Sequence, residues 1–150
     1  MTDAAEVLLV EDNSDDAELA LRALRKENVA NRIVRLSDGE QALDFLFCRG
    51  AFKDRSFTQP PRVVLLDLKM PKIDGLEVLR AVKADPRTKA IPIVIMTASR
   101  EEQDVVSSYQ LGVNSYIQKP VDFDKFREVV RQLGLYWLLV NEPAPPAAFS

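Results

Sequence analysis

Histidine is absent from the chain. That excludes Ser-His-Asp and Cys-His catalysis, any metal site built on imidazole, and any role as a phosphohistidine carrier. There is a single cysteine, Cys48, so no internal disulfide can form. This usage fits a reducing cytoplasm, the expected location. Cys48 closes an apolar stretch that begins at Leu43 and reads as a small core residue, because a catalytic thiol would want a histidine partner. No apolar run reaches the length of a membrane span, and Met1 to Glu6 does not read as a signal peptide. A glycine-rich loop ending in Lys-Ser or Lys-Thr is also missing, which removes the nucleoside-triphosphatase reading. Excess charge is lacking too. A net charge of −3 gives no bulk field for nucleic acid or an anionic membrane, and neither is expected as a direct partner.

What remains for chemistry is carboxylates, lysines and hydroxyls on an ordinary globular chain. Its 150 residues predict one domain, large enough to bury roughly 68–70% of the unfolded surface without staples. Short apolar runs alternate with helical patterns. Val7 to Val10, Ile33 to Leu36, Val63 to Leu66, Ile93 to Met96 and Tyr116-Ile117 read as strands, several of them apolar throughout as in a sheet buried on both faces. Ser14 and Asp15 can cap the first helix, which carries Ala17, Ala20, Leu21 and Leu24 at helical spacing. Asp38-Gly39 opens a second, Gly75 a third that stops near Asp85-Pro86, Glu101 to Leu111 is a fourth closed by Gly112, and Asp122 caps a fifth through Phe126, Val130, Leu133 and Trp137. Gly50 to Pro61 reads as a long surface loop. Five strand–helix pairs predict an α/β doubly wound five-stranded parallel sheet with right-handed crossovers. Its site should lie beyond the carboxyl ends of the strands.

The strand ends are where the acids fall. Glu11 and Asp12 follow the first strand and Asp67 ends the third. If those strands are neighbours, three carboxylates share one crevice and need a cation, and oxygen-only ligands suit magnesium. Taken alone, Glu11-Asp12 is a weak signal, because acids after a strand are common helix caps. The fourth strand ends in Thr97-Ala98, a hydroxyl beside a small residue, placed to hydrogen-bond a phosphoryl oxygen. The fifth ends in Lys119-Pro120; a residue before proline is held extended, so its ammonium can point into the crevice. The bond before Pro120 is left open as cis or trans.

With these residues in place the chain resembles the receiver domains of two-component response regulators. The matching pieces are Val7 to Asp12, Leu65 to Pro71, Asp74-Gly75, Thr97-Ala98 and Lys119-Pro120. The resemblance implies the flavodoxin-like receiver fold with strand order 2-1-3-4-5. It implies Asp67 as phosphoacceptor, with Lys119 and Thr97 on the phosphoryl group. Mg2+ would be held by Asp12, Asp67 and the backbone carbonyl of Lys69, and by Glu11 through water. Thr97 and Tyr116 would be the switch residues, and the surface of helix 4, strand 5 and helix 5 would change in response. The phosphoryl donor would be a sensor histidine kinase docking near the first helix. The protein would not be a turnover enzyme; it would promote only its own aspartyl phosphorylation and dephosphorylation.

Two stretches depart from a minimal receiver: the loop from Cys48 to Pro61 and the C-terminal extension. Both resemble single-domain regulators that accompany phytochrome kinases, so a bacteriophytochrome kinase is the expected partner. Residues 1–140 are read as the receiver with a long last helix, and 141–150 as a proline-rich arm. Large apolar residues beyond a completed fold mark an interface, and Tyr136, Trp137 and Val140 are assigned to a homodimer contact. Among rivals, a phosphatase of the haloacid-dehalogenase class would need a second aspartate where Lys69 stands. A flavodoxin-type cofactor site would be repelled by Glu11 and Asp12. The nearest alternative is a phosphorylation-independent pseudo-receiver adaptor.

Overall fold

A computed structural model describes residues 7–27, 32–119 and 122–133. Strands β1 (Val7–Val10), β2 (Ile33–Leu36), β3 (Val63–Asp67), β4 (Ile93–Thr97) and β5 (Ser115–Gln118) form one parallel sheet in the order β2-β1-β3-β4-β5. Helices α1 (Ser14–Lys26), α2 (Gly39–Leu46), α3 (Gly75–Ala84), α4 (Arg100–Ser108) and α5 (Phe123–Leu133) alternate with them. This is the expected doubly wound architecture. No helix among the described residues is long and apolar enough to cross a membrane.

Strand alternation divides the core in two. Val7 and Leu9 of β1 pack with Ala17, Ala20 and Leu24 of α1 and Phe126 and Val130 of α5. Leu8 and Val10 face the other way, into Phe45 and Leu46 of α2, Val78 and Leu79 of α3, and Val106 of α4. The central strands β1, β3 and β4 are buried at every position, which is why they read as unbroken apolar runs.

Local differences from the sequence reading have identifiable causes. The cap of α1 is Asn13, whose side chain accepts from the Asp16 N–H, so Ser14 and Asp15 lie inside the helix. α4 ends at Ser108, short of Leu111, because Gln110 and Gly112 adopt positive φ of 52° and 79°. The Gly50–Pro61 stretch begins with a 3-10 turn, Gly50–Phe52, and is packed in place. Phe52 meets Phe45 edge-on at 5.1 Å, and Arg55 lies over the Phe45 ring while donating to the Phe45 carbonyl. Cys48 is half-buried at φ 54° where the chain leaves α2, so it is not a core residue. Tyr136, Trp137, Val140, the proline arm and the bond before Pro120 lie outside the described residues.

Candidate functional site

β1 and β3 are adjacent, and the connections leave them in opposite directions, toward β2 and toward β4. The crevice beyond their carboxyl ends is the switch point of this sheet. Asp67 is the last residue of β3 and is 2% exposed; Glu11, directly after β1, is 1% exposed. Backbone pairing carries Glu11 one step past its strand, since its N–H donates to the Leu36 carbonyl at 3.0 Å. Arg35 of β2 grips the Glu11 carbonyl from the same side, at 2.7 Å from Nη2 and 3.1 Å from Nε. Asp12 is exposed at the mouth. One carboxylate oxygen from each of Glu11, Asp12 and Asp67 lies within 4.8 Å of the others.

Lys119 follows β5, and its ammonium crosses to this cluster. Nζ stands 3.1 Å from Glu11 Oε2, 3.2 Å from Asp67 Oδ2 and 3.3 Å from Asp16 Oδ2. Glu11 Oε2 also accepts the Asn13 N–H, whereas Glu11 Oε1 is buried without a partner, alone in this among the described side chains. A buried unpaired carboxylate oxygen is costly and marks a place for a further donor or a cation.

Burial pushes the Asp67 carboxyl up to about 8; the Glu11 charge and hydrogen bonds from the acid pair act the same way, against Lys119. Burial pulls the Lys119 ammonium down, but Asp67 and Glu11 outweigh this and hold it above the ordinary lysine value. Both directions belong to one coupled group. One ammonium does not balance several converging carboxylates, so the Asp67 carboxyl holds its proton more tightly than an ordinary aspartate does. The donor set is all oxygen, one oxygen is orphaned, and negative charge is in excess. These residues fit a hard divalent cation such as Mg2+.

Thr97 ends β4, buried beside β3, and its carbonyl accepts the Lys119 N–H at 2.7 Å. Ala98 follows it, exposed. Tyr116 stands apart from the acids on β5, half-buried, its hydroxyl 2.9 Å from Ser107 Oγ of α4. The Lys69 side chain pairs with Glu102 Oε2 of α4 at 3.1 Å. Glu102 Oε1 accepts the Ala98 N–H at 2.8 Å, and that bond foremost lowers the Glu102 carboxyl, with Lys69 assisting against slight burial.

The structure thus brings Glu11, Asp12, Asp67 and Lys119 together, sets Thr97 on the next strand, and leaves Tyr116 at the sheet edge. Sequence reasoning missed Asp16, Arg35 and Glu102. Asp16 and Arg35 act across elements and leave no local signal. Glu102 did leave one, as the last residue of Ser99-x-x-Glu, a capping-box pattern.

The family model for the response regulator receiver domain matches residues 7–131. The chain belongs to this family. Receivers are signalling domains, not turnover enzymes, and this receiver has relatives among regulators of several systems. It is 40% identical over 141 residues to "Probable methanogenesis regulatory protein FilR2" of Methanothrix harundinacea, covering 94% of this chain and 88% of that one. It is 36% identical over 132 residues to "Response regulator Rcp1" of Synechocystis sp., covering 88% of each, and that protein has been solved in a Mn(2+)-bound form (TM-score 0.76). Among solved structures, the bacteriophytochrome response regulator RtBRR matches with a TM-score of 0.80 and 48% identity, covering 93% of this chain and 83% of that one. Phytochrome-associated single-domain regulators are therefore close structural and sequence relatives of this receiver.

Proposed function

We propose that this receiver accepts a phosphoryl group on Asp67 from the phosphohistidine of a sensor histidine kinase. The observation that carries this reading is a buried strand-end carboxylate, Asp67, with the Lys119 ammonium 3.2 Å away and two further acids around it. In the transfer, a carboxylate oxygen of Asp67 attacks phosphorus as the P–N bond to the donor imidazole breaks, and the bonding pair leaves on the imidazole nitrogen. Lys119 is placed to hold charge on the transferring oxygens, and the Thr97 hydroxyl to donate to one of them in the product. Asp67 must be ionised to attack, so its raised proton affinity has to be overcome first. Asp12, Asp67 and the Lys69 carbonyl, with Glu11 through water, would hold Mg2+. Bound there, it would supply the charge that favours ionised carboxylates and neutralises the transferring group. Water attacking phosphorus later returns the carboxylate and inorganic phosphate.

The acyl phosphate adds negative charge and new acceptors to the crevice. Thr97 moves toward them, and Tyr116 turns inward, which requires breaking its 2.9 Å bond to Ser107. That couples Asp67 to the face of α4, β5 and α5. The proposed kinase is a bacteriophytochrome, on the strength of the 48% identity to RtBRR. The proposed assembly is a homodimer to which Tyr136, Trp137 and Val140 contribute.

Incubation with acetyl phosphate and Mg2+, read by intact mass, tests the central claim. Wild type should gain one phosphoryl mass and Asp67→Asn none. An unlabelled wild type beside a labelled control receiver would defeat the phosphoacceptor reading and leave the adaptor reading standing.

A further inference from the structure

The bond between Glu102 and Ala98 lies at the carboxyl end of β4, next to the end of the strand that carries Asp67. In a parallel ladder the N–H and C=O of one residue face the same neighbouring strand, and successive residues alternate. The Met96 carbonyl takes the Leu68 N–H at 3.0 Å, so Met96 faces β3. Thr97 faces β5, its carbonyl taken by the Lys119 N–H. The Ala98 N–H therefore turns back to the β3 side, above the end of the strand that carries Asp67. The acceptor that would continue the ladder there is the Leu68 carbonyl, but Gly75 N–H already holds it at 2.7 Å. An N–H donor is thus left at the mouth of the crevice, and the Glu102 carboxylate occupies it.

We infer that Glu102 sets the rate of phosphorylation by holding the Ala98 N–H that a phosphoryl group on Asp67 would take. This rests on the phosphoacceptor reading above. Helix capping does not account for the arrangement. In a capping box the third helical residue returns to the N–H of the cap itself. Here the forward half is regular, with the Glu102 N–H donating to Ser99 Oγ at 3.2 Å. The return bond, however, goes to Ala98, one residue before the cap, and the second carboxylate oxygen pairs with Lys69 at 3.1 Å. Glu102 therefore ties the loop after β3 to the loop after β4. A carboxylate and a phosphoryl oxygen cannot both take one N–H, and like charges oppose their sharing the space. Phosphorylation must displace Glu102, and its release frees both loops at once.

Glu102→Ala should label with acetyl phosphate and Mg2+ faster than wild type, by about three- to tenfold, the scale of one ordinary net hydrogen bond. Glu102→Gln keeps an oxygen for Ala98 but loses the charge and the Lys69 pair, so its rate should fall between the two. Exchange of the Ala98 amide hydrogen, read by NMR without any phosphodonor, should quicken in Glu102→Ala; a purely stabilising cap would move melting temperature without raising the labelling rate. Normal labelling of wild type with equal or slower labelling of both variants overturns the inference and leaves the phosphoacceptor reading intact. Absence of label from wild type and variants alike, beside a labelled control, defeats both.

Discussion

At the scale of single residues, Asp67 carries an electrostatic load that can be read in stability. Its carboxyl is raised from the ordinary 3.8 to about 8, so the folded chain binds that proton more tightly than the unfolded chain does. The stability this provides is complete below the unfolded value and is lost as pH rises through about 8. Asp67→Asn cannot ionise. In metal-free buffer its melting temperature should therefore gain on wild type from pH 5 to pH 8, by up to about 10 °C on a scale of about 2–4 °C per kcal/mol. Saturating Mg2+ should shrink that gain, because it stabilises the ionised wild type by mass action. Thermal melts of both proteins at the two pH values, with and without Mg2+, read the difference; a gap that does not change with pH would mean that Asp67 is not the strained acid. Asp67, Glu11, Asp12 and Lys119 were legible in the sequence because a strand end fixes where its last side chain goes. Asp16 and Arg35 were not, because a side chain reaching from α1 or β2 depends on packing that no local pattern encodes.

At the scale of elements, the legible part was the alternation of strands and helices, and the turns show where local pattern stops being enough. The helix start at Asp38-Gly39 was expected; the structure adds Asp74 as the cap of α3, and both side chains accept an N–H three residues on. The early end of α4 was hidden, because the left-handed Gln110 is not a residue that announces a stop. The Asp74-Gly75 step has a steric reason that the sequence alone could not state. A Cβ on Gly75 would overlap the Asp67 carbonyl oxygen and come within 2.8 Å of Leu68 Cα. Gly75→Ala should consequently push the start of α3 off the end of β3. The expected cost is about 1–3 kcal/mol in urea unfolding, as for overpacking elsewhere, with slower labelling of Asp67. Gly112 gives the comparison, since a Cβ there meets nothing within 4 Å and only its φ of 79° resists substitution. Equal stability of Gly75→Ala and wild type would show that the loop yields freely and that the glycine does not position Asp67.

At the scale of the whole molecule, helices cover both faces of the sheet, but the two faces differ in what they leave exposed. α1 and α5 pack together across β1 and β3, and Glu27 at the end of α1 holds Arg127 at 2.8 Å and Arg131 at 3.1 Å on α5. α4, by contrast, leaves Val105 and Tyr109 exposed, 52% and 46%, on the same helix whose Ser107 holds Tyr116. A phosphorylation signal that breaks the Tyr116–Ser107 bond therefore reaches a surface with apolar groups still facing solvent. The proposed dimer joins copies through the face of α4, β5 and α5, with Tyr136, Trp137 and Val140 contributing. A chain ending at Gly134 removes Tyr136, Trp137 and Val140 together, and loss of an aromatic anchor at an interface centre weakens association by about tenfold or more. Sedimentation equilibrium of the full and shortened chains, each with and without acetyl phosphate and Mg2+, measures this. A shortened chain that dimerises as tightly as the full one removes the extension from the interface and leaves α4, β5 and α5 to supply all of it.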